Sequence, residues 1–132
     1  MSLWLEMILR LFLAAALGAG IGYQRERVGK AAGLRTHILI ALGAALFTEV
    51  SIFGFSGTVD PSRVAAGVVV GVGFIGGGVI FRGEESVAGL TTAATIWVTA
   101  AIGLATGAGL YSISIIAALI TVGILMIPKI RG

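Results

Sequence analysis

The chain of 132 residues is long enough for a single domain, and 58% of its residues are hydrophobic while 11% are charged. Soluble domains carry about 25% charged residues, so this chain has too few charged residues to cover a surface that faces water on all sides. The composition predicts an all-α membrane protein. The net charge of +3 does not indicate nucleic-acid binding, because the basic residues flank apolar segments, and the absence of cysteine excludes disulfides and thiolate metal sites.

Five apolar stretches approach the length of about 17–25 residues that a membrane-spanning helix needs. We predict transmembrane helices at residues 3–23, 37–53, 64–81, 90–106 and 110–127. The first stretch lacks the basic region and cleavage site of a signal peptide, so we expect it to remain in the protein. The five helices are expected to form one domain over residues 1–132, with no soluble C-terminal domain.

The distribution of Lys and Arg predicts the orientation in the membrane. Seven of the nine basic residues lie in the loop 24–35, at Arg82 and in the tail with Lys129 and Arg131, and the other two are Arg10 and Arg63. Cytoplasmic loops are enriched in Lys and Arg, so we expect the N-terminus outside and the C-terminus in the cytoplasm.

A pentad occurs twice, each time after a Gly-rich apolar run and before another apolar run. The two copies, 56 residues apart, are Ala32-Gly33-Leu34-Arg35-Thr36 and Ala88-Gly89-Leu90-Thr91-Thr92. Similarity at a fixed offset indicates two parallel helical hairpin repeats followed by a fifth helix. Since Gly and Ala are common in this chain, chance matches are the alternative.

Glycines spaced four residues apart recur in the helices. The pairs that we expect at helix-packing positions are Gly18 with Gly22, Gly67 with Gly71, and Gly73 with Gly77. Small residues at this spacing let helix backbones approach closely in lipid. Packing within one chain and a homodimer seam are both open, and the many glycines of the third span predict that this helix is central.

Five charged residues lie on the outer side in this orientation: Glu6, Arg10, Glu49, Asp60 and Arg63. Charges within membrane spans are rare, so these residues are candidates for a functional site. Glu6 and Arg10 have the spacing of an ion pair on a helix, and Asp60 fits a helix cap. Mutual neutralisation is one interpretation; the other is an outward-facing site in which Glu49 with Glu6 or Asp60 binds a divalent cation.

On the inner side, the stretch around the first pentad combines cations with a helix start. Lys30 and Arg35 are expected to anchor the helix at the interface and Thr36 to cap it, and the alternative is an anion or lipid-headgroup site. A single histidine, His37, excludes a His-based metal cluster. In the second copy, Thr91 and Thr92 open a threonine-bearing helix whose hydroxyls bond their own backbone or a neighbouring helix.

No arrangement of residues typical of catalysis is present in the sequence. A G-x-G-x-x-G string at residues 71–76 lies inside a membrane span, without the strand and helix flanks of a dinucleotide site. We therefore expect no enzymatic activity and no cofactor.

Taken together, these stretches resemble the MgtC/SapB family of bacterial inner-membrane proteins. The similarity runs in order through residues 17–22, 25–27, 29–37, 41–47, 60–66, 71–81, 89–97 and 101–103. It implies a five-span domain of the inner membrane, associated in some members with magnesium limitation, virulence and control of other membrane proteins such as the ATP synthase. Glu49 departs from the family pattern, and the soluble C-terminal domain of the well-known MgtC-type members is not expected in this chain.

The favoured interpretation is a regulator or accessory of membrane ion homeostasis that acts through helix–helix contacts in the lipid bilayer. Its expected partners are a second copy, as a homodimer or other homo-oligomer, or another membrane protein complex. The alternative is a channel or transporter for a cation such as Mg²⁺. A third interpretation is an anchor for a soluble partner that binds the basic loop 25–35.

Overall fold

The computed structural model describes residues 2–57, 59–81 and 87–128. Within these residues the chain is helical and contains no strand. The helices are α1 (Leu3–Arg27), α2 (Leu34–Phe53), α3 (Ser62–Phe81), α4 (Val87–Gly107) and α5 (Tyr111–Leu125). The predicted all-α architecture with five helices is therefore confirmed. Three basic residues used for the orientation, Arg82, Lys129 and Arg131, lie outside the described residues.

Four helices are long and apolar enough to cross a membrane: Leu3–Arg27, Leu34–Phe53, Ser62–Ile80 and Gly89–Gly107. The fifth, α5, has 15 residues and is shorter than the predicted span 110–127. At 1.5 Å per residue it measures about 22 Å, against about 30 Å for a hydrocarbon core.

The central helix of the bundle is α4, and not the third helix as the glycine content predicts. α4 packs against each of the other four helices, and half of its apolar segment is buried, against 6% for α3. α3 lies at the edge and contacts mainly α4, where Gly73 faces Trp97 and Gly76 faces Ala93. Glycine permits close packing, but a helix is central only when other helices cover it on several sides, as they cover α4.

Glycines of α1 and α4 let both helices approach α2 closely. A Cβ on Gly18 would lie 2.5 Å from the carbonyl oxygen of His37, and one on Gly22 would lie 2.8 Å from the Cα of Leu34. A Cβ on Gly103 of α4 would overlap the carbonyl of Ala41. Because no side chain fits at these contacts, α1, α2 and α4 form a closely packed core.

Several glycines of α3 face open space among the described residues. A Cβ added to Gly67, Gly71 or Gly77 would meet no atom within 4 Å among the described residues, and Gly73 makes ordinary contact with Trp97. Packing within the chain thus accounts for Gly18 and Gly22 and does not account for these three positions of α3. A seam with a second copy stays a prediction there.

The start of α2 is not capped by Thr36. The helix begins at Leu34, and the residue before it, Gly33, makes no side-chain cap bond. Instead the carboxylate of Glu26, at the end of α1, accepts a hydrogen bond of 2.9 Å from the N–H of Leu34. The α1–α2 turn makes this possible because Ala32 adopts a left-handed backbone with φ of 57°.

Candidate functional site

The buried stripe of α1 carries an arginine near each end. Its buried residues are Arg10, Ala14, Gly18, Ile21, Gly22 and Arg25. The spacing of these positions follows one face of a helix, and the two arginines are about 22 Å apart along the axis. Each arginine organises a polar cluster. The Arg10 cluster comprises Glu6, Arg10, Glu49, Phe53 and Tyr111. The Arg25 cluster comprises Arg25, Glu26, His37 and Thr92.

In the Arg10 cluster, one guanidinium connects three helices by hydrogen bonds. Arg10 is 8% exposed, and it donates through Nε to the hydroxyl of Tyr111 at 2.9 Å and through Nη1 to the carbonyl of Gly107 at 3.0 Å. Its Nη2 forms the predicted ion pair with Glu6. The Tyr111 hydroxyl also donates to Glu6, at 3.2 Å. The rings of Phe53 and Tyr111 lie 5.6 and 5.8 Å from the guanidinium carbon, within the range of cation–π contact.

Glu49 lies in the same cluster and is nearly inaccessible. Its exposed fraction is 2%, and its Oε2 atom is buried without a hydrogen-bond donor among the described residues. Arg10 is the charged group that interacts with it. Buried polar atoms are normally paired, so a buried carboxyl with a free oxygen is unusual.

Asp60 and Arg63 do not join the Arg10 cluster. Both are exposed at the start of α3, where Asp60 Oδ1 accepts from the N–H and the hydroxyl of Ser62 at 3.0 and 2.7 Å. These two hydrogen bonds lower the pKa of the Asp60 carboxyl. Asp60 thus caps α3 as expected. The described residues contain no group of three or more metal-ligating side chains, so the proposed cation site is not assembled by them.

Arg63 lies instead at a groove between α2 and α3. The groove has a volume of about 690 Å³, and its walls are otherwise apolar, with Phe47 of α2 and Ile75 of α3 among them. Gly67 and Gly71 line it as well. The open glycines of α3 therefore border an indentation in the apolar surface of the bundle.

The Arg25 cluster joins the two pentads. Arg25 is 3% exposed, and its Nη2 donates to the hydroxyl of Thr92 and, at 3.4 Å, to the carbonyl of Ala31. His37 is fully buried, with Nδ1 placed 2.9 Å from the carbonyl of Gly33. Its other ring nitrogen has no hydrogen-bond partner among the described residues. The end of α1 and the starts of α2 and α4 are tied together here.

The other residues of the predicted inner motif lie at the periphery. Lys30, Arg35 and Thr91 are exposed, and Thr36 is half-buried in the first turn of α2. Thr95 and Thr99 of α4 are buried and donate to carbonyls of their own helix, at 2.7 and 2.6 Å. Of the two alternatives for the threonine hydroxyls of α4, Thr95 and Thr99 therefore follow the first, which is a hydrogen bond to the backbone of their own helix.

Three functional candidates are not found by sequence reasoning: Arg25, Glu26 and Tyr111. By sequence, Arg25 counts only among the basic residues of the loop 24–35. Its spacing of three and seven residues from Gly22 and Gly18 places it on the packing face of α1. That periodicity is the signal that could have identified it. Tyr111 bonds Arg10, which lies 101 residues earlier in the chain, and Glu26 bonds Leu34, eight residues later. No local pattern predicts such contacts.

Comparison with known proteins gives consistent results over most of the chain. The model of the MgtC family matches residues 11–130. YhiD of Escherichia coli K12 is 50% identical over 127 residues, which cover 91% of this chain and 59% of YhiD. SrpB of Synechococcus elongatus is 44% identical, covering 89% of this chain and 72% of SrpB, and MgtC of Brucella abortus is 45% identical, covering 89% and 50%.

The chain thus spans between half and three quarters of the length of these relatives. No solved structure matches it at a significant level. The match of the family model over residues 11–130, together with relatives at 44–50% identity, assigns this chain to the MgtC family.

Proposed function

We propose that this chain is a multi-pass protein of the bacterial inner membrane that regulates magnesium homeostasis through helix–helix contacts rather than by catalysis. The E. coli relative YhiD is named as a proposed magnesium transporter, and the Brucella relative is named MgtC. Family membership supports a role in the same physiology. The partner in the contacts is a second copy or another membrane complex.

The observation that carries the regulatory form of the proposal is the open glycine face of α3. Gly67, Gly71 and Gly78 are four and seven residues apart and therefore share a face, and a Cβ on any of them would meet no described atom within 4 Å. A glycine inside a helix costs about 0.5–1 kcal/mol relative to alanine. In lipid this cost is recovered when a second backbone approaches closely, as at glycine pairs spaced by four residues.

Crosslinking in lipid bilayers tests this surface. Gly67→Leu or Gly71→Leu is expected to abolish self-association or partner capture, because the leucine side chain keeps a second helix away. Gly20→Leu is the matched control, since Gly20 of α1 also faces open space within the chain. Crosslinking that is unchanged in the α3 variants would count against the proposal.

The physiological part is tested by the magnesium content of cells grown under magnesium limitation. Cells expressing the chain are expected to maintain a different magnesium level from cells expressing Gly71→Leu at equal abundance in the membrane. Equal magnesium levels in cells with the chain, with the variant and with neither would contradict a role in magnesium homeostasis.

A second candidate function, cation transport, is favoured by the buried charges of the Arg10 cluster. Charged groups inside spanning helices commonly mark ion pathways, and Glu49 is such a group. Reconstitution in liposomes with a magnesium-sensing dye separates the two functions. Flux that requires the protein and is lost in Glu49→Gln supports transport; the absence of flux under any magnesium gradient supports the regulator.

For the orientation we propose an N-terminus outside and a cytoplasmic C-terminus, supported by the basic loop 24–35. Single cysteines introduced at Lys30 and at Ser2 should then be labelled from opposite sides of sealed membrane vesicles, because the chain has no native cysteine to interfere. Labelling of both positions from the same side would refute this orientation.

A further inference from the structure

Glu49 combines three properties that no other described carboxylate has. Its exposed fraction is 2%, its Oε2 has no hydrogen-bond donor among the described residues, and it interacts electrostatically with Arg10, which is already bonded to other groups. Glu6, in contrast, is paired with Arg10 and Tyr111, and the Glu26 carboxylate accepts from the N–H of Leu34. Each oxygen of an ionised carboxylate needs donors when water is excluded.

Charged and polar groups approach Glu49 from several helices. From α1 it faces Arg10, whose guanidinium is shared with Glu6, and from α5 Tyr111 contributes a hydroxyl to the same guanidinium. α4 approaches this cluster with the carbonyl of Gly107 and has no charged residue along its length. α3 begins nearby, since the carbonyl of Pro61 accepts from Ser51, but its charged residues Asp60 and Arg63 are exposed.

Each nitrogen of the Arg10 guanidinium already donates to an acceptor: Nε to Tyr111, Nη1 to Gly107 and Nη2 to Glu6. An ionised Glu49 would compete with these groups for the guanidinium. Two carboxylates and one arginine carry a net charge of −1 when all are ionised, and zero when one carboxyl is protonated. Around the buried Glu49 the neutral combination is favoured, and Glu49 is the carboxyl whose Oε2 has no donor among the described residues.

A proton fits this site better than a metal ion. Mg²⁺ requires near-octahedral oxygen coordination and retains several waters, whereas the free oxygen of Glu49 is buried. The adjacent guanidinium repels a second cation. A proton needs a single oxygen and no further ligands.

We propose that Glu49 is a proton-binding site, and that its occupancy decides which carboxylate holds Arg10. With the proton on Glu49, the guanidinium bonds Glu6, Tyr111 and Gly107, as in the structure. When the proton leaves Glu49 for the medium, the O–H bond breaks, a carboxylate is formed, and Arg10 turns toward α2. The junction of α4 and α5 then loses the hydrogen bonds that Arg10 provides.

This inference does not depend on the magnesium role. It concerns the coupling between a proton and the packing of α1, α2 and the α4–α5 junction, and it applies to a regulator and to a transporter. The two proposals therefore fail separately: the magnesium measurements leave the state of Glu49 undetermined, and the experiment below leaves the magnesium role undetermined.

Infrared spectroscopy of the full chain in lipid bilayers, with glutamate labelled by ¹³C at the side-chain carboxyl, tests the proton. At neutral pH we expect the C=O band of one protonated glutamic acid, reversibly lost as the pH is raised. The band should be absent in Glu49→Gln and retained in Glu26→Gln, the matched control with an exposed carboxylate. A wild-type protein without the band, or a band that persists in Glu49→Gln, would overturn the proposal.

Nitrogen NMR of the arginine side chains tests the coupling to Arg10. The Nε signal of Arg10 is expected to shift in wild-type protein over the same pH interval in which the infrared band is lost. In Glu49→Gln, which imitates the protonated carboxyl, this signal should not change over that interval. An Arg10 signal that is independent of pH while the band titrates would refute the switch between carboxylates.

Discussion

Arg10 is the side chain on which the packing of one end of the bundle depends. It is buried, it bonds groups on α1, α4 and α5, and its guanidinium lies against the rings of Phe53 and Tyr111. A buried cation of this kind is maintained because every partner is in place, and its removal takes one donor from the Glu6 carboxylate and one from the carbonyl of Gly107.

Replacement of Arg10 by Met should therefore destabilise the fold strongly. The expected loss is roughly 3 kcal/mol in the free energy of unfolding, because Arg10 donates hydrogen bonds to Tyr111, Gly107 and Glu6 and each is worth about 1 kcal/mol. Glu6→Gln should cost about 1 kcal/mol or less, because the Glu6 side chain is partly exposed and the amide still accepts a hydrogen bond. Unfolding in mixed micelles measures both variants. Equal losses in both would mean that Arg10 acts only through Glu6.

The contribution of Asp60 to stability at the start of α3 is expected to depend on pH. The Ser62 hydroxyl and N–H lower the pKa of Asp60, so Asp60 contributes stability above the ordinary pKa of an aspartate, and this contribution is lost as the pH falls through the lowered value. Ser62→Ala removes the hydroxyl and keeps the N–H. Carboxyl NMR should then find the pKa of Asp60 raised toward its ordinary range. A titration curve identical to that of the wild type would show that the hydroxyl does not act on it.

At the scale of the helices, the contact of α2 with α1 and α4 is made through backbone atoms. Gly18 of α1 lies against the carbonyl of His37, and Gly103 of α4 lies against that of Ala41. Any side chain at either glycine would separate the helices. This arrangement makes α2 sensitive to substitutions that are small by volume.

Gly103→Ala should destabilise the bundle by about 1–3 kcal/mol, the usual cost of inserting a methyl group into a filled contact. Gly20→Ala is the matched control, because its added methyl group meets no described atom. There the higher helix propensity of alanine should stabilise the protein by about 0.5–1 kcal/mol. Unfolding free energies of opposite sign relative to wild type are expected. A Gly103→Ala variant as stable as the control would show that α2 and α4 can move apart without loss.

The limits of sequence-based prediction follow from how local each contact is. The Glu6–Arg10 pair and the Gly18–Gly22 face are visible as spacings of four residues within one helix, and the structure contains both. The central position of α4 and the cap that Glu26 provides for α2 depend on how separate helices pack. Hydropathy could not distinguish α3 from α4, because both are apolar and their difference lies in which neighbours surround them.

At the scale of the whole molecule, burial is unevenly distributed. α1, α2 and α4 form the tightly packed core, and α3 is attached at its edge with 6% of its apolar segment buried. Elements with few buried contacts open at a lower free energy than those in the core.

Hydrogen exchange in detergent should reflect this difference. Amides of α3 are expected to exchange faster than those of α4, because α3 can detach while the core remains folded. The expectation applies to the isolated chain; association of a second helix on the glycine face should slow exchange in α3 selectively. Equal protection of α3 and α4 in the isolated chain would indicate that the bundle opens only as a unit.

The two arginines on the buried stripe of α1 have a mechanical consequence. A helix held at one point can pivot or screw about that point, but α1 is held at Arg10 and at Arg25, about 22 Å apart on the same stripe. A slide of α1 by one turn would remove both guanidinium groups at once from their acceptors on α4, and Arg10 from Tyr111 of α5. Axial displacement and rotation of this helix are therefore opposed at both of its ends.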